Sequence, residues 1–189
     1  MRRMETREVA VASLLGALSA MFEIVPGPPF DIPFPLLPNA KISWDLTGVP
    51  MMVSLLLFNP LCGVYTCIIG CSIIFLRGNL FGGIFKLIAE LSTIVGFAAF
   101  RRNIIVDTVK AVLSRVAVMT VANYCLLPLF YSTPEEVVVG ILGPIAIFNV
   151  TQALINIIPA YMIYLRARKS IIEHLDKKIM NRAGTIQRE

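Results

Sequence analysis

The chain has 189 residues, 57% of them hydrophobic and 15% charged, with a formal net charge of +5 and a mean hydropathy of +0.77. A soluble domain carries roughly 25% charged residues, so the composition excludes an ordinary soluble enzyme and indicates one integral membrane domain over residues 1–189. The single histidine, His174, lies in a polar tail, which excludes a zinc centre and a serine–histidine pair within the apolar part.

The first apolar run, about Arg7 to Val25, has no small-x-small cleavage site ahead of a soluble domain, and it reads as span one rather than a signal peptide. It carries Ala12, Gly16 and Ala20 at four-residue spacing, a flat strip on which a second helix packs closely. That strip serves either a partner subunit or packing within the bundle.

Pro26 to Pro50 follows and holds seven of the twelve prolines. Proline fixes φ and lacks an N–H, so this stretch is no helix and is expected to form an extended, polyproline-like cap. It is either a stiff connector or a ligand-binding lid, and its end, Ile42 to Pro50, is the first place to seek a substrate. Span two is expected from about Asp45 to Phe58, ended by Asn59-Pro60. Span three covers about Leu61 to Leu76, and span four about Phe81 to Phe100. Span five covers about Val109 to Phe130, and span six about Val137 to Leu165. Span six exceeds one crossing, so Gly143-Pro144 or Pro159 is expected to kink or break it. Residues 166–189 form a basic tail. Cys62, Cys67, Cys71 and Cys125 all sit in apolar runs and read as small buried groups.

Fourteen of the seventeen Lys and Arg residues fall before span one, in or near the loop after span four (Arg101, Arg102, Lys110, Arg115), or in the tail. Lys41, Arg77 and Lys86 remain for the other side. The positive-inside rule then places both termini in the cytoplasm and the Pro-rich loop outside, which six spans satisfy. The net positive charge marks topology and contact with the lipid bilayer, not nucleic acid.

Polar groups at membrane depth are costly and face a cavity or a partner. Here they are Lys86, Glu90, Asn123, Tyr124, Asn149, Thr151, Gln152 and Asn156. Lys86 and Glu90, at i and i+4, either pair with each other or join the amides around a polar pocket beneath the Pro-rich loop. Amides donate and accept together, which suits a neutral heterocycle, and Trp44, Phe22 and Tyr124 are candidate stacking walls. No catalytic set emerges: Gly78 to Lys86 lacks the spacing of a phosphate loop.

Four patterns in order carry a resemblance. Ile42-Ser43-Trp44-Asp45-Leu46-Thr47-Gly48-Val49-Pro50 ends the Pro-rich loop, and Phe58-Asn59-Pro60-Leu61-Cys62-Gly63 follows. Met119-Thr120, Asn123-Tyr124 and Pro128-Leu129-Phe130-Tyr131 lie in span five, and Phe148-Asn149-Val150-Thr151-Gln152-Ala153 in span six. Over nearly its whole length the chain resembles the S component of energy-coupling factor (ECF) vitamin transporters, most nearly the riboflavin-specific kind. It departs from that pattern where Gln152 replaces a lysine, Gly70-Cys71 a Lys-Asn pair, and Glu90 an asparagine.

The resemblance implies an all-α membrane protein of six transmembrane helices in the cell membrane, with an outward vitamin pocket capped by the first loop. It implies that Ala12, Gly16 and Ala20 dock a transmembrane coupling subunit, which works with two ATPase subunits. Asn123 takes the place of the family's ring-binding asparagine. With the polar groups above, the expected substrate-binding residues are Lys41, Ser43, Trp44, Asp45, Lys86, Glu90, Asn123, Tyr124, Asn149 and Gln152. No cofactor is expected, riboflavin being the transported ligand. The alternatives are a stand-alone proton- or sodium-coupled transporter working through Glu90 and Lys86, which the absence of an inverted repeat disfavours, and a structural membrane subunit.

Overall fold

A computed structural model of the chain describes residues 4–25, 27, 31–37, 42–100 and 102–186, with the backbone alone from 171 onward. Six helices account for most of it: α1 (Thr6–Ile24), α2 (Gly48–Leu57), α3 (Pro60–Leu76), α4 (Leu80–Ala98), α5 (Ile104–Tyr131) and α6 (Glu135–Ile186). Two short strands, β1 (Asp31–Pro33) and β2 (Ser43–Asp45), lie between α1 and α2.

Asparagine starts three of the helices. Asn59, Asn79 and Asn103 accept from Cys62 N at 3.1 Å, Gly82 N at 2.9 Å and Val106 N at 2.9 Å, satisfying first-turn N–H groups that have no helical partner. Asn103 sets the start of α5 five residues earlier than expected. The turns between helices use left-handed backbone at Gly78 (φ 79°), Phe100 (φ 47°) and Ser132 (φ 51°). That conformation is costly for an aromatic residue. At Phe100 it is held by Lys110, whose Nζ donates to the carbonyls of Ala99 and, at 3.1 Å, Phe100.

The helices close a ring in the order α1, α3, α4, α5, α6, α2, and α2 also packs on α3. Nine of the ten residues of α2 are buried. At 1.5 Å per residue it is roughly 15 Å long, half of what a bilayer core requires. The stretch expected as span two is therefore a buried stave. Met51, Met52, Leu55, Cys67, Ile94, Phe97 and Ile157 form the core around it. Cys62, Cys67 and Cys71 are buried as expected, whereas Cys125 is exposed on α5.

Two expectations are corrected here. First, α6 is continuous through Pro144 and Pro159, so neither proline breaks it. Each proline removes one i→i−4 bond, and in a helix of 52 residues the flanking bonds carry it through. The stretch expected as a tail is its continuation, to Ile186. Second, the small-residue strip on α1 turns inward. Ala12 is fully buried and its carbonyl accepts from Thr66 Oγ1 at 3.1 Å. A methyl at Gly16 would come within 2.8 Å of Ile69. The strip exists so that α3 can approach α1, which leaves Leu14, Leu18 and Met21 as the outward face; Ala20 is half-buried.

Among the described residues, α4 and residues 135–170 of α6 are long and apolar enough to cross a membrane. The outer face of α5 presents Ile105, Val109, Leu113, Val121 and Leu129.

Candidate functional site

The Pro-rich segment pairs its described ends as an antiparallel hairpin, with Asp31 opposite Asp45, Ile32 opposite Trp44 and Pro33 opposite Ser43. Phe34, beyond β1, is buried and lies edge-on to Trp44 (5.2 Å between centroids) and Phe148 (5.4 Å). Trp44 Nε1 donates to Thr151 Oγ1 at 2.8 Å. Gln152 holds both backbone groups of Asp45: its Oε1 accepts from Asp45 N at 3.2 Å, and its Nε2 donates to Asp45 O at 2.8 Å. The hairpin is thus stitched to α6 at two successive residues.

The Asp45 carboxylate faces the other way. It accepts from Thr47 N at 2.9 Å and from the Thr47 hydroxyl, and it pairs with Lys86 Nζ. Burial pushes this carboxyl up, but the Lys86 ammonium and the Thr47 donors outweigh it and hold Asp45 below the usual carboxylate range. Lys86 also faces Glu23 of α1 at 3.7 Å. One cation therefore ties α1, β2 and α4 together.

Polar contacts continue inward without a break. Gln152 Nε2 donates to Asn156 Oδ1 at 3.0 Å, and Asn156 Nδ2 donates to both oxygens of Glu90 at 3.2 and 3.1 Å. Arg115 Nη1 pairs with Glu90 Oε1 at 3.0 Å and donates to Thr93 Oγ1 at 3.0 Å. Arg115 Nε donates to Asn149 Oδ1 at 3.0 Å. Arg115 is 2% exposed, and Glu90, Asn149, Gln152 and Asn156 no more than 1%. The line runs Lys86, Asp45, Gln152, Asn156, Glu90, Arg115, Asn149, with donors and acceptors matched along it. Such a network is high-stakes: complete, it fixes one arrangement, and breaking it strands a charge. Room at its centre is tight, since a methyl at Gly48 would lie 2.0 Å from Asn156 Nδ2 and 2.6 Å from Glu90 Oε2.

The structure therefore brings together Trp44, Asp45, Lys86, Glu90, Asn149 and Gln152 of the expected residues, with Ser43 in the same strand. Lys86 and Glu90 do not pair with each other; each has its own partner from another element. Asn123 is buried on the same α5 face as Arg115, two turns on, with Nδ2 donating to Met119 O at 2.7 Å. Tyr124 stands apart: it is exposed, and its hydroxyl bonds Glu135 at 2.5 Å. Phe22 also lies elsewhere, in an apolar cavity of about 320 Å³ lined by Leu15, Leu18, Val49, Val53, Pro159 and Ile163 among others. Lys41 lies outside the described residues.

Arg115 is the correction of most consequence. Counted by sequence as a topology-setting cation, it is instead the centre of the buried network. Its signal was periodicity, because Asp107, Ala111, Arg115, Met119 and Asn123 recur every four residues on the buried face of α5. Asn156 and Thr151, polar and on α6, also prove to be connectors.

No family profile matches the chain, and no curated protein sequence matches it. Among solved structures it is similar to the S component of a bacterial ECF transporter. The TM-score is 0.70 at 21% identity, with 89% of this chain and 99% of that one covered. At that identity the likeness is one of fold.

Proposed function

We propose that this chain is the substrate-binding S component of an ECF-type importer, and that its substrate is riboflavin or a related heterocyclic vitamin. The observation that carries the reading is the shared fold over 89% of the chain. The hairpin seated over a buried line of matched donors and acceptors supports it. Such a line suits a neutral, hydrogen-bonding heterocycle, because the Arg115–Glu90 and Lys86–Asp45 pairs cancel their own charges. We further propose that the bundle lies in the cell membrane with the hairpin outward and both termini cytoplasmic. Once Arg115 is taken from the inner set of fourteen, thirteen of the seventeen cations still favour that orientation. A transmembrane coupling subunit and two ATPase subunits are then its partners, met through a surface other than the inward-facing Ala12–Gly16 strip.

The test is colour and energy source. Purified protein is expected to be yellow and to release a flavin on denaturation. In vesicles, the chain alone under a proton or sodium gradient is expected to bind but not to concentrate the vitamin. Concentrative uptake by the chain alone would overturn the assignment. A colourless protein that takes up no added flavin would remove riboflavin as the substrate.

A further inference from the structure

We infer that the turn between α4 and α5 is a seat for an anionic phospholipid, with Phe100 lodged among the acyl chains and Arg102 facing the phosphate; this rests on the membrane reading proposed above. Phe100 is the observation that requires an account. It holds a left-handed backbone (φ 47°), where glycine is the ordinary choice, and it is 91% exposed. Packing of its ring inside the bundle therefore does not offset the strain. The neighbours enforce it instead. Lys110 Nζ donates to the carbonyls of Ala99 and Phe100 and pairs with Asp107 Oδ1 at 2.9 Å. The same Asp107 oxygen accepts from Arg102 N at 3.2 Å. The first turns of α5 thus brace the chain on both sides of Phe100 and hold an aromatic ring outward. Strain that the surroundings impose in this way points to a function.

Depth and charge identify what the ring meets. Helices α5 and α6 run antiparallel, joined by residues 132–134, and Arg115 lies opposite Asn149. Three helical turns back from Arg115 is Ile104, and three turns on from Asn149 is Ala160. The turn at Phe100 therefore stands level with Tyr161 and Tyr164, whose rings stack with centroids 6.1 Å apart. The exposed Arg166 and Arg168 follow. Two neighbouring helices thus reach aromatic residues and then arginines at one level, the order that marks a membrane–water boundary. Ile105 and Val109 are exposed on α5 directly after the turn, so no polar stretch separates it from the apolar band. Arg101 and Arg102 follow Phe100 in sequence, and Arg102 is exposed. A cation at headgroup level beside an apolar anchor favours an anionic headgroup over a zwitterionic one. In the orientation proposed above, this end of the bundle lies in the cytoplasmic leaflet, where anionic lipids concentrate.

The test uses the whole chain in neutral detergent micelles titrated with phosphatidylglycerol or phosphatidylcholine. Native mass spectrometry counts bound lipid, and thermal melts run in parallel. Wild type is expected to bind phosphatidylglycerol about fivefold or more tighter than phosphatidylcholine and to melt higher in its presence. Arg102→Gln is expected to lose about fivefold of that affinity while melting like wild type without lipid. Glycine accepts the left-handed backbone, so Phe100→Gly is expected to melt about 2–4 °C above wild type without lipid and to gain less from phosphatidylglycerol. Phe100→Trp keeps the anchor and is expected to keep the wild-type preference. A turn with a structural role alone would not become more stable by itself and less responsive to lipid. Wild-type affinity for phosphatidylglycerol in both Phe100→Gly and Arg102→Gln overturns the inference, whether the basic tail then binds the lipid or the ring serves a protein partner. Lumiflavin binding is expected to be unchanged in all three variants, because Lys86, which holds the hairpin, lies roughly 20 Å back along α4. Wild type that binds phosphatidylglycerol selectively but no lumiflavin would count against the vitamin reading and leave the lipid seat standing.

Discussion

Gly48→Ala tests the tightest point of the site. Alanine is normally the better helix residue by about 1 kcal/mol, so on propensity alone the change stabilises α2. The structure argues the reverse. The added methyl would lie 2.0 Å from Asn156 Nδ2, 2.4 Å from its Cγ and 2.6 Å from Glu90 Oε2. Asn156 must swing away and give up its two bonds to Glu90 and its bond from Gln152. Overpacking costs about 1–3 kcal/mol, and the loss of a hydrogen bond to a charged group about 1.5–3 kcal/mol. After the propensity gain, the net destabilisation is about 2–5 kcal/mol. Thermal unfolding in detergent measures it against Gly140→Ala in α6, where an added methyl meets nothing within 4 Å and the expected effect is neutral to slightly stabilising. Gly48→Ala melting at or above wild type would refute the close packing of α2 against Asn156 and Glu90.

Gly16→Leu is expected to cost about 1–3 kcal/mol of stability through overpacking against Ile69, read by the same melts; wild-type stability would mean that the strip faces outward after all. Lys86→Met strands Asp45 and Glu23. A buried pair broken this way costs about 3–5 kcal/mol, which the residual exposure of both groups reduces to roughly 2–3 kcal/mol at pH 7. Because the Asp45 carboxyl is held below its ordinary value, its contribution is complete above about pH 4 and fades as pH falls further. In Lys86→Met burial acts on Asp45 without the opposing ammonium and lifts its carboxyl, so the gap between wild type and Lys86→Met should narrow as pH falls through the carboxylate range, and a gap constant down to the acid limit of folding would contradict the pairing. Asn123→Ala is expected to weaken vitamin binding by about 1–3 kcal/mol, measured by flavin fluorescence, with unchanged affinity removing it from the site.

The helices were legible because apolar runs bounded by Asn-Pro, Arg-Gly-Asn and Arg-Arg-Asn leave few alternatives. The polar residues of α4 and α6 could be named because each interrupts an apolar run. Their pairing could not. Lys86 and Glu90 look like natural partners one turn apart, but their actual partners come from residues 41 and 25 positions away along the chain. Arg115 was misassigned for a related reason. It lies near two loop arginines in sequence, but the four-residue period of its helix turns it inward. The facing of the α1 strip was illegible too, since small residues admit a close neighbour without specifying whose it is. The hairpin was hidden by its prolines, which forbid helix without forbidding the short pairing at its ends.

The ring order has a mechanical consequence. The first and last helices meet chiefly through the shortest one: α2, ten residues long, stands between α1 and α6. A cask whose closing stave is too short holds its shape at one end and has a seam at the other. Here the hairpin and Asp45 clamp the seam, and the apolar cavity lined by α1, α2 and α6 starts beside that clamp, at Leu46 and Val49. Along the rest of the circumference, neighbouring helices of 17 or more residues grip each other directly. The joint between α1 and α2 is therefore the most lightly packed in the ring.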